Sequence, residues 1–210
     1  ELNLQKHDRG FLAPIWHTIV LILILLLVAL GGAHLQNKPS TGQGIVQEHP
    51  ASMPLYLSLI VFEWLLAGFV WFGLRRRNKI KVRDLIGGKW NNWRKILFDI
   101  FIALSFWVVW IGVGMAVKYL LGPDTAKSVD VLLPQGVLEI VTWILLSISA
   151  GFCEEFVYRG YLQGQFLALT GSATAAIIIQ GVLFGVTHGY QGFKLVLTIS
   201  VYGILYGILA

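Results

Sequence analysis

The chain has 210 residues, 56% of them hydrophobic, with a mean hydropathy of +0.72 and a net charge of +5. The apolar share lies beyond the roughly 45–50% of soluble domains and excludes an ordinary water-soluble fold. With Cys153 as the one cysteine, an intramolecular disulfide and a C-x-x-C metal or redox pair are also excluded, and Cys153 reads as a small apolar filler.

Six apolar segments follow in chain order: Pro14–Leu35, Met53–Leu74, Leu97–Leu121, Val137–Thr170, Ala173–Tyr190 and Lys194–Leu209. Most approach the ~20 residues that a spanning helix needs. The expected fold is therefore all-α, a polytopic transmembrane helical bundle of about six spans. The first segment is too long for a secretory signal and is followed by no small-residue cleavage pattern. The chain opens on Glu1 and stops at Ala210 inside an apolar helix, which reads as a truncated protein.

Between the second and third segments lie Arg75, Arg76, Arg77, Lys79, Lys81, Arg83, Lys89, Arg94 and Lys95, against Asp84 alone. Between two spans such a cluster reads as a topogenic signal facing the cytoplasm, compatible with anionic-lipid contact, rather than as a nucleic-acid site. Ile86, Trp90, Trp93, Ile96 and Leu97 recur there at helical spacing, which predicts an interfacial amphipathic helix within a basic region at 75–96. A cytoplasmic basic loop puts the N-terminus inside, the Gln36–Pro50 and Gly122–Gly136 loops outside, and the connection near Gly171 inside. Trp16, Trp71, Trp90 and Trp93 read as aromatic anchors. His7, His17, His34 and His49 read as interfacial polar residues.

The fourth segment carries the chemistry. Its first half, to Phe152, has Glu139 as its single charge, and then come Glu154, Glu155 and Arg159. A carboxylate near the middle of a membrane helix costs roughly 2.5–3.5 kcal/mol, so an adjacent pair points to catalysis or ion handling. Glu155 and Arg159, four apart, share a helix face as an ion pair. Glu154 points about 100° away from Glu155 and is left as the free acid.

The next segment supplies His188. If the turn centres on Gly171, Glu154 lies 17 residues before it and His188 17 after it. At 1.5 Å per residue both sit about 25 Å from the turn, so an antiparallel hairpin brings them to one level. Gly181, Phe184, Gly185 and His188 share a face, and the pair Gly181 and Gly185 is expected to pack against the small surface of Ser147 and Gly151. A carboxylate and an imidazole that converge can hold and deprotonate a water. They could also supply two ligands of a metal site, although catalytic zinc normally takes three protein ligands. No H-E-x-x-H or Gly-x-Ser-x-Gly pattern is present.

Glu154-Glu155-x-x-x-Arg159-Gly160, followed by Phe184-x-x-x-His188 on the next helix, resembles the CPBP family. These are intramembrane endopeptidases of the CAAX-protease and bacteriocin-processing type, also called Abi proteins, with the Ras-converting CAAX endopeptidase as a eukaryotic branch. The resemblance covers Val137 to Ala210 and divides the chain into two parts. Residues 1–136 hold N-terminal spans with the basic loop. Residues 137–210 begin a catalytic helical core whose C-terminal part is missing. It implies that Glu154 activates water for attack on a peptide carbonyl, that Glu155 and Arg159 support it, and that His188 helps position the water. A zinc ion, where one is used, would be held by Glu154 and His188. Gly203 and Gly207 look similar to the family's third, glycine-bearing helix. A further His and an Asn or Asp would stabilise the oxyanion from a helix beyond Ala210.

The expected partners are a peptide or protein substrate in or at the membrane and the lipid bilayer, with no nucleic acid. The expected location is the bacterial inner membrane, as a multi-pass protein. Two alternatives stay open at this level. One is an ion-coupled transporter, supported by Glu63 standing mid-span in the second segment. The other is a non-proteolytic immunity or scaffold protein of the same fold.

Overall fold

The computed structural model describes residues 10–36, 52–77, 82, 85, 91–122 and 133–210. The helices are α1 (Ile15–Gln36), α2 (Ser52–Arg77), α3 (Trp93–Leu121), α4 (Val137–Glu154), α5 (Gln163–Thr170), α6 (Ala173–Thr187) and α7 (Phe193–Leu209). A widened π-helical stretch, Glu155–Leu162, joins α4 to α5 without a break, so Val137–Thr170 forms one rod. The described residues thus form six helical rods, one for each apolar segment of the sequence, and contain no strand.

Four rods, Ile15–His34, Met53–Arg76, Trp93–Leu121 and Val137–Thr170, are long and apolar enough to cross a bilayer, which makes this a multi-pass membrane protein. The last two helices are shorter, 15 and 17 residues, below the ~20 of a full span.

Much of the expected loop structure lies outside the described residues: residues 37–51 and 123–132, the basic Lys79, Lys81 and Arg83, and Ile86, Lys89 and Trp90 of the interfacial helix. So do His7 and His49. The other members of that expected helix, Trp93, Ile96 and Leu97, belong to α3. Asn92 starts α3 by accepting a hydrogen bond from the Arg94 amide at 3.2 Å, so the chain is already helical there. Trp16, Trp71 and Trp93 are all exposed, as anchors facing lipid would be.

The core is built from α1, α2 and the long rod. Leu21 and Leu25 of α1 and Ala67, Val70 and Leu74 of α2 enclose Cys153, Phe156, Val157, Tyr161 and Leu162. Helix α3 buries none of its residues fully and touches the bundle through Phe106 and Trp110, which pack on Tyr202 and Tyr206 of α7. Glu139 accepts the Gln135 amide at 2.9 Å in the first turn of α4, where its negative charge suits the positive end of that helix.

A buried polar network ties α1 to the rod. The carbonyl of Phe69 accepts the His17 Nε2 proton at 2.9 Å, which leaves Nδ1 to accept the Tyr161 hydroxyl proton at 2.8 Å. Thr18 reaches the same hydroxyl at 3.0 Å, and Gln165 donates to the Ala13 carbonyl at 3.0 Å while accepting the Leu12 amide at 2.7 Å. His17 is 1% exposed and stacks on Phe69 at 4.0 Å. The sequence reading of His17 as an interfacial residue is therefore corrected: neighbours from α2 and the rod satisfy both ring nitrogens and make the burial tolerable.

Candidate active site

The turn between α5 and α6 is made as the spacing requires. Gly171 adopts φ 67°, the left-handed conformation that ends a helix, and its amide bonds the Leu167 carbonyl at 2.9 Å. Ser172 then caps α6 by accepting the Ala175 amide at 3.3 Å. The two helices return antiparallel, and Glu154 Oε1 lies 3.8 Å from His188 Nε2.

Three features define what this pair can do. His188 stands just past the end of α6, where its Nδ1 donates to the Phe184 carbonyl at 2.8 Å. That bond fixes the tautomer, so the neutral ring turns the acceptor lone pair of Nε2 toward Glu154. A separation of 3.8 Å exceeds a direct hydrogen bond and suits two acceptors that share one water. The side chains retain 34% (Glu154) and 20% (His188) exposure, so the pair is partly shielded and still reachable.

Glu155 and Arg159 are brought together at 3.5 Å, as an i, i+4 pair. Their environments differ sharply: the Arg159 side chain is 4% exposed and that of Glu155 45%. The guanidinium lies between two rings, 4.4 Å from the Phe184 centroid and 5.3 Å from that of Tyr206. Its charge also acts on Glu154 and on His188. The close pairs thus divide the two acids as the helical wheel does, Glu155 with Arg159 and Glu154 with His188, although the stretch from Glu155 is π-helical.

The glycine face of α6 serves another neighbour than the sequence suggested. A Cβ at Gly203 would sit 2.9 Å from the Gly181 Cα, and one at Gly185 would collide with Ser200 and Val196 of α7. Gly151 has nothing within 4 Å of its Cβ position, and Ser147 is exposed. The expected pairing of Gly181 and Gly185 with Ser147 and Gly151 is therefore replaced by tight α6–α7 packing. Small residues on both of those helices let the backbones meet, whereas bulky Tyr158 and Phe184, 4.8 Å apart, hold the rod off α6. Gln180 donates to the Gly203 carbonyl at 2.8 Å and Gln163 to the Gly207 carbonyl at 3.0 Å, which fixes α7 to its neighbours.

Two residues near the pair were not grouped with it from sequence. Tyr190 stacks on His188 at 6.2 Å, and Tyr158 bonds Thr187 at 2.8 Å beside it. A position two residues after His188 was the only signal for Tyr190. Glu63, isolated in the sequence, comes into electrostatic range of Cys153 and Glu154.

Among the described residues no group of three His, Cys, Asp or Glu side chains is placed to hold a metal ion. Glu154 and His188 supply two donors, short of the three protein ligands of a catalytic zinc site. The described residues thus do not by themselves fit zinc.

Comparison with known proteins bears on the same region. Residues 136–210 match the family model of the type II CAAX prenyl endopeptidase Rce1-like proteins. The uncharacterized protein YyaK of Bacillus subtilis (strain 168) is 29% identical over 135 residues, which cover 64% of this chain and 44% of that protein. The chain spans less than half the length of this curated relative. No solved structure matches.

Proposed function

We propose, from the match of residues 136–210 to the Rce1-like family model, that the protein is an intramembrane endopeptidase that cleaves a membrane-associated peptide or protein with a glutamate-activated water. The observation that carries this reading is the approach of Glu154 to His188 at 3.8 Å with the imidazole tautomer already set.

In this mechanism the water donates one hydrogen bond to the Glu154 carboxylate and one to His188 Nε2. Its lone pair is then aimed at the substrate carbonyl. Glu154 takes a proton as the water oxygen bonds to the carbonyl carbon, and returns it to the departing amine nitrogen as the C–N bond breaks. General-base assistance of this kind is worth about 10²–10⁴ in rate. Arg159 is a positioning residue: it ties Glu155, Phe184 and Tyr206 around the pair and supplies the positive charge that accompanies Glu154 through the reaction. Residues 137–210 would form the catalytic core and residues 1–136 its membrane support, in a bacterial inner membrane. Zinc held by Glu154 and His188 would need a further donor from outside the described residues.

The test is cleavage of a fluorogenic, prenylated C-terminal peptide by the protein in lipid nanodiscs. Glu154→Gln should lower kcat by about 10²–10⁴ while the fold is kept. Full retained cleavage in that variant sinks the proposal. Glu63 near Glu154 also gives the ion-coupled transport reading specific support, and proton flux into liposomes abolished by Glu63→Gln would favour it over proteolysis.

A further inference from the structure

Tyr158 follows Glu154 by one turn on the rod, and Thr187 precedes His188 at the end of α6. Their hydroxyls meet at 2.8 Å. The Thr187 hydroxyl has one proton and gives it to the Phe184 carbonyl, three residues back, at 2.8 Å. Toward Tyr158 it can therefore only accept, and the phenol is the donor. The same Phe184 carbonyl accepts the proton of His188 Nδ1 at 2.8 Å.

This carbonyl is open to side chains because α6 tightens as it ends. The His188 amide bonds the Gly185 carbonyl at 3.0 Å, three residues back rather than four, which leaves the Phe184 carbonyl to other donors. One of its lone pairs takes the bond from Thr187 and the other the bond from His188. The Phe184 ring is held as well, with Tyr158 and His188 each set edge-on to it at 4.8 Å. Tyr158 is buried, and a phenylalanine would fill the same space, so what its hydroxyl adds is the bond to Thr187.

We propose that Tyr158 and Thr187 are positioning residues for His188: a chain of hydrogen bonds runs from the Tyr158 hydroxyl through Thr187 to the Phe184 carbonyl and holds the imidazole opposite Glu154. The inference rests on the reading of His188 as the group that orients the attacking water. Hydrogen bonds in series polarise one another, so the phenol acts on the carbonyl and, through it, on the Nδ1 proton. Tyr158 stands on the same rod as Glu154, so the relay ties the imidazole to the element that carries the acid.

Two measurements on the protein in nanodiscs test it. The first is nitrogen NMR of isotopically labelled histidine, with the His188 signals identified by their loss in His188→Gln. The Nδ1 signal should shift in Tyr158→Phe and in Thr187→Val, and return toward wild type in Thr187→Ser, which keeps the hydroxyl. A signal indifferent to the first two overturns the proposal whether or not a substrate is cleaved. The second uses the fluorogenic prenylated peptide. Tyr158→Phe and Thr187→Val should each lower kcat about tenfold with KM unchanged, as a misplaced catalytic group does, and Thr187→Ser should recover most of the loss. Because the two hydroxyls act in series, the double variant should be no slower than Thr187→Val alone, and multiplied losses overturn the relay. Wild-type kcat in Tyr158→Phe, beside an inactive Glu154→Gln, removes the relay and leaves the protease reading intact. Full activity in Glu154→Gln removes the protease reading itself, and the proposal falls with it. Losses of kcat that only track the melting temperature across these variants mark a merely structural bond and also overturn the proposal.

Discussion

His17 Nδ1 lies 2.8 Å from the Tyr161 hydroxyl, so the first helix is bonded to the stretch of chain that carries Arg159. The contact joins residues 144 positions apart, two residues from the guanidinium. Movement of α1 is thereby coupled to the geometry of the π-helical turn.

His17→Ala should lower stability by about 1–3 kcal/mol, because Tyr161 and the Phe69 carbonyl lose a buried partner. Gly73→Ala tests the same spot from α2, since a Cβ there meets the His17 ring; overpacking of this kind costs about 1–3 kcal/mol. Thermal unfolding in detergent checks both. Unchanged melting in both variants would mean that the network does not hold α1.

Arg159 should be irreplaceable by lysine. Its planar guanidinium fills the space between Phe184 and Tyr206, and an ammonium cannot stack in that way. Arg159→Lys should lose about 1–2 kcal/mol from the ring contacts alone. In an Arg159→Leu background, adding Glu155→Gln should change stability by less than about 1 kcal/mol, since the carboxylate left behind is 45% exposed and stays solvated. A larger recovery in the double variant would show that the Glu155 charge is held more tightly than an exposed pair.

The glycine faces make a contrasting pair of expectations. Gly203→Leu should abolish folding or cost several times the ~1–3 kcal/mol of ordinary overpacking, because the added side chain meets the Gly181 backbone. Gly151→Ala, with open space around its Cβ position, should be neutral or gain about 0.5–1 kcal/mol from helix propensity. Yield and melting temperature of the two variants, measured side by side, decide it. A destabilised Gly151→Ala would restore the packing surface that the sequence suggested there.

The hydrogen bond from His188 Nδ1 to the Phe184 carbonyl predicts a difference between two substitutions. His188→Gln keeps a polar group near Glu154 and should retain residual cleavage, whereas His188→Phe removes the acceptor and should fall a further ten- to hundredfold, about 1.4–2.8 kcal/mol in the barrier. Equal kinetics in the two would show that Nε2 does not touch the water. Dialysis against a chelator gives the separate metal readout: cleavage should persist, and a loss reversed by zinc would move the water activation to a metal.

How much the sequence disclosed depends on the range of the interaction. Hydropathy alone located six helical rods, since membrane helices satisfy their own backbone and need only length and apolarity. The level match of Glu154 and His188 also followed from the chain, because a short turn at Gly171 makes their spacing a matter of counting residues. Neither the π-helical turn nor the buried setting of His17 was legible. The first leaves no mark on the sequence pattern, since Glu155 and Arg159 still pair four apart through it, and the second depends on Phe69 and Tyr161 arriving from two other rods.

The sequence by itself thus determined the class of protein, the positions of its helices and the local hairpin that joins the acid to the imidazole. Tertiary structure decided that Gly181 and Gly185 meet α7 and that Arg159 is held between Phe184 and Tyr206. The physical reason is that a helix sets its own length and faces through bonds along the chain. Which apolar face meets which partner is settled only by packing between helices, where small residues permit approach and large ones forbid it.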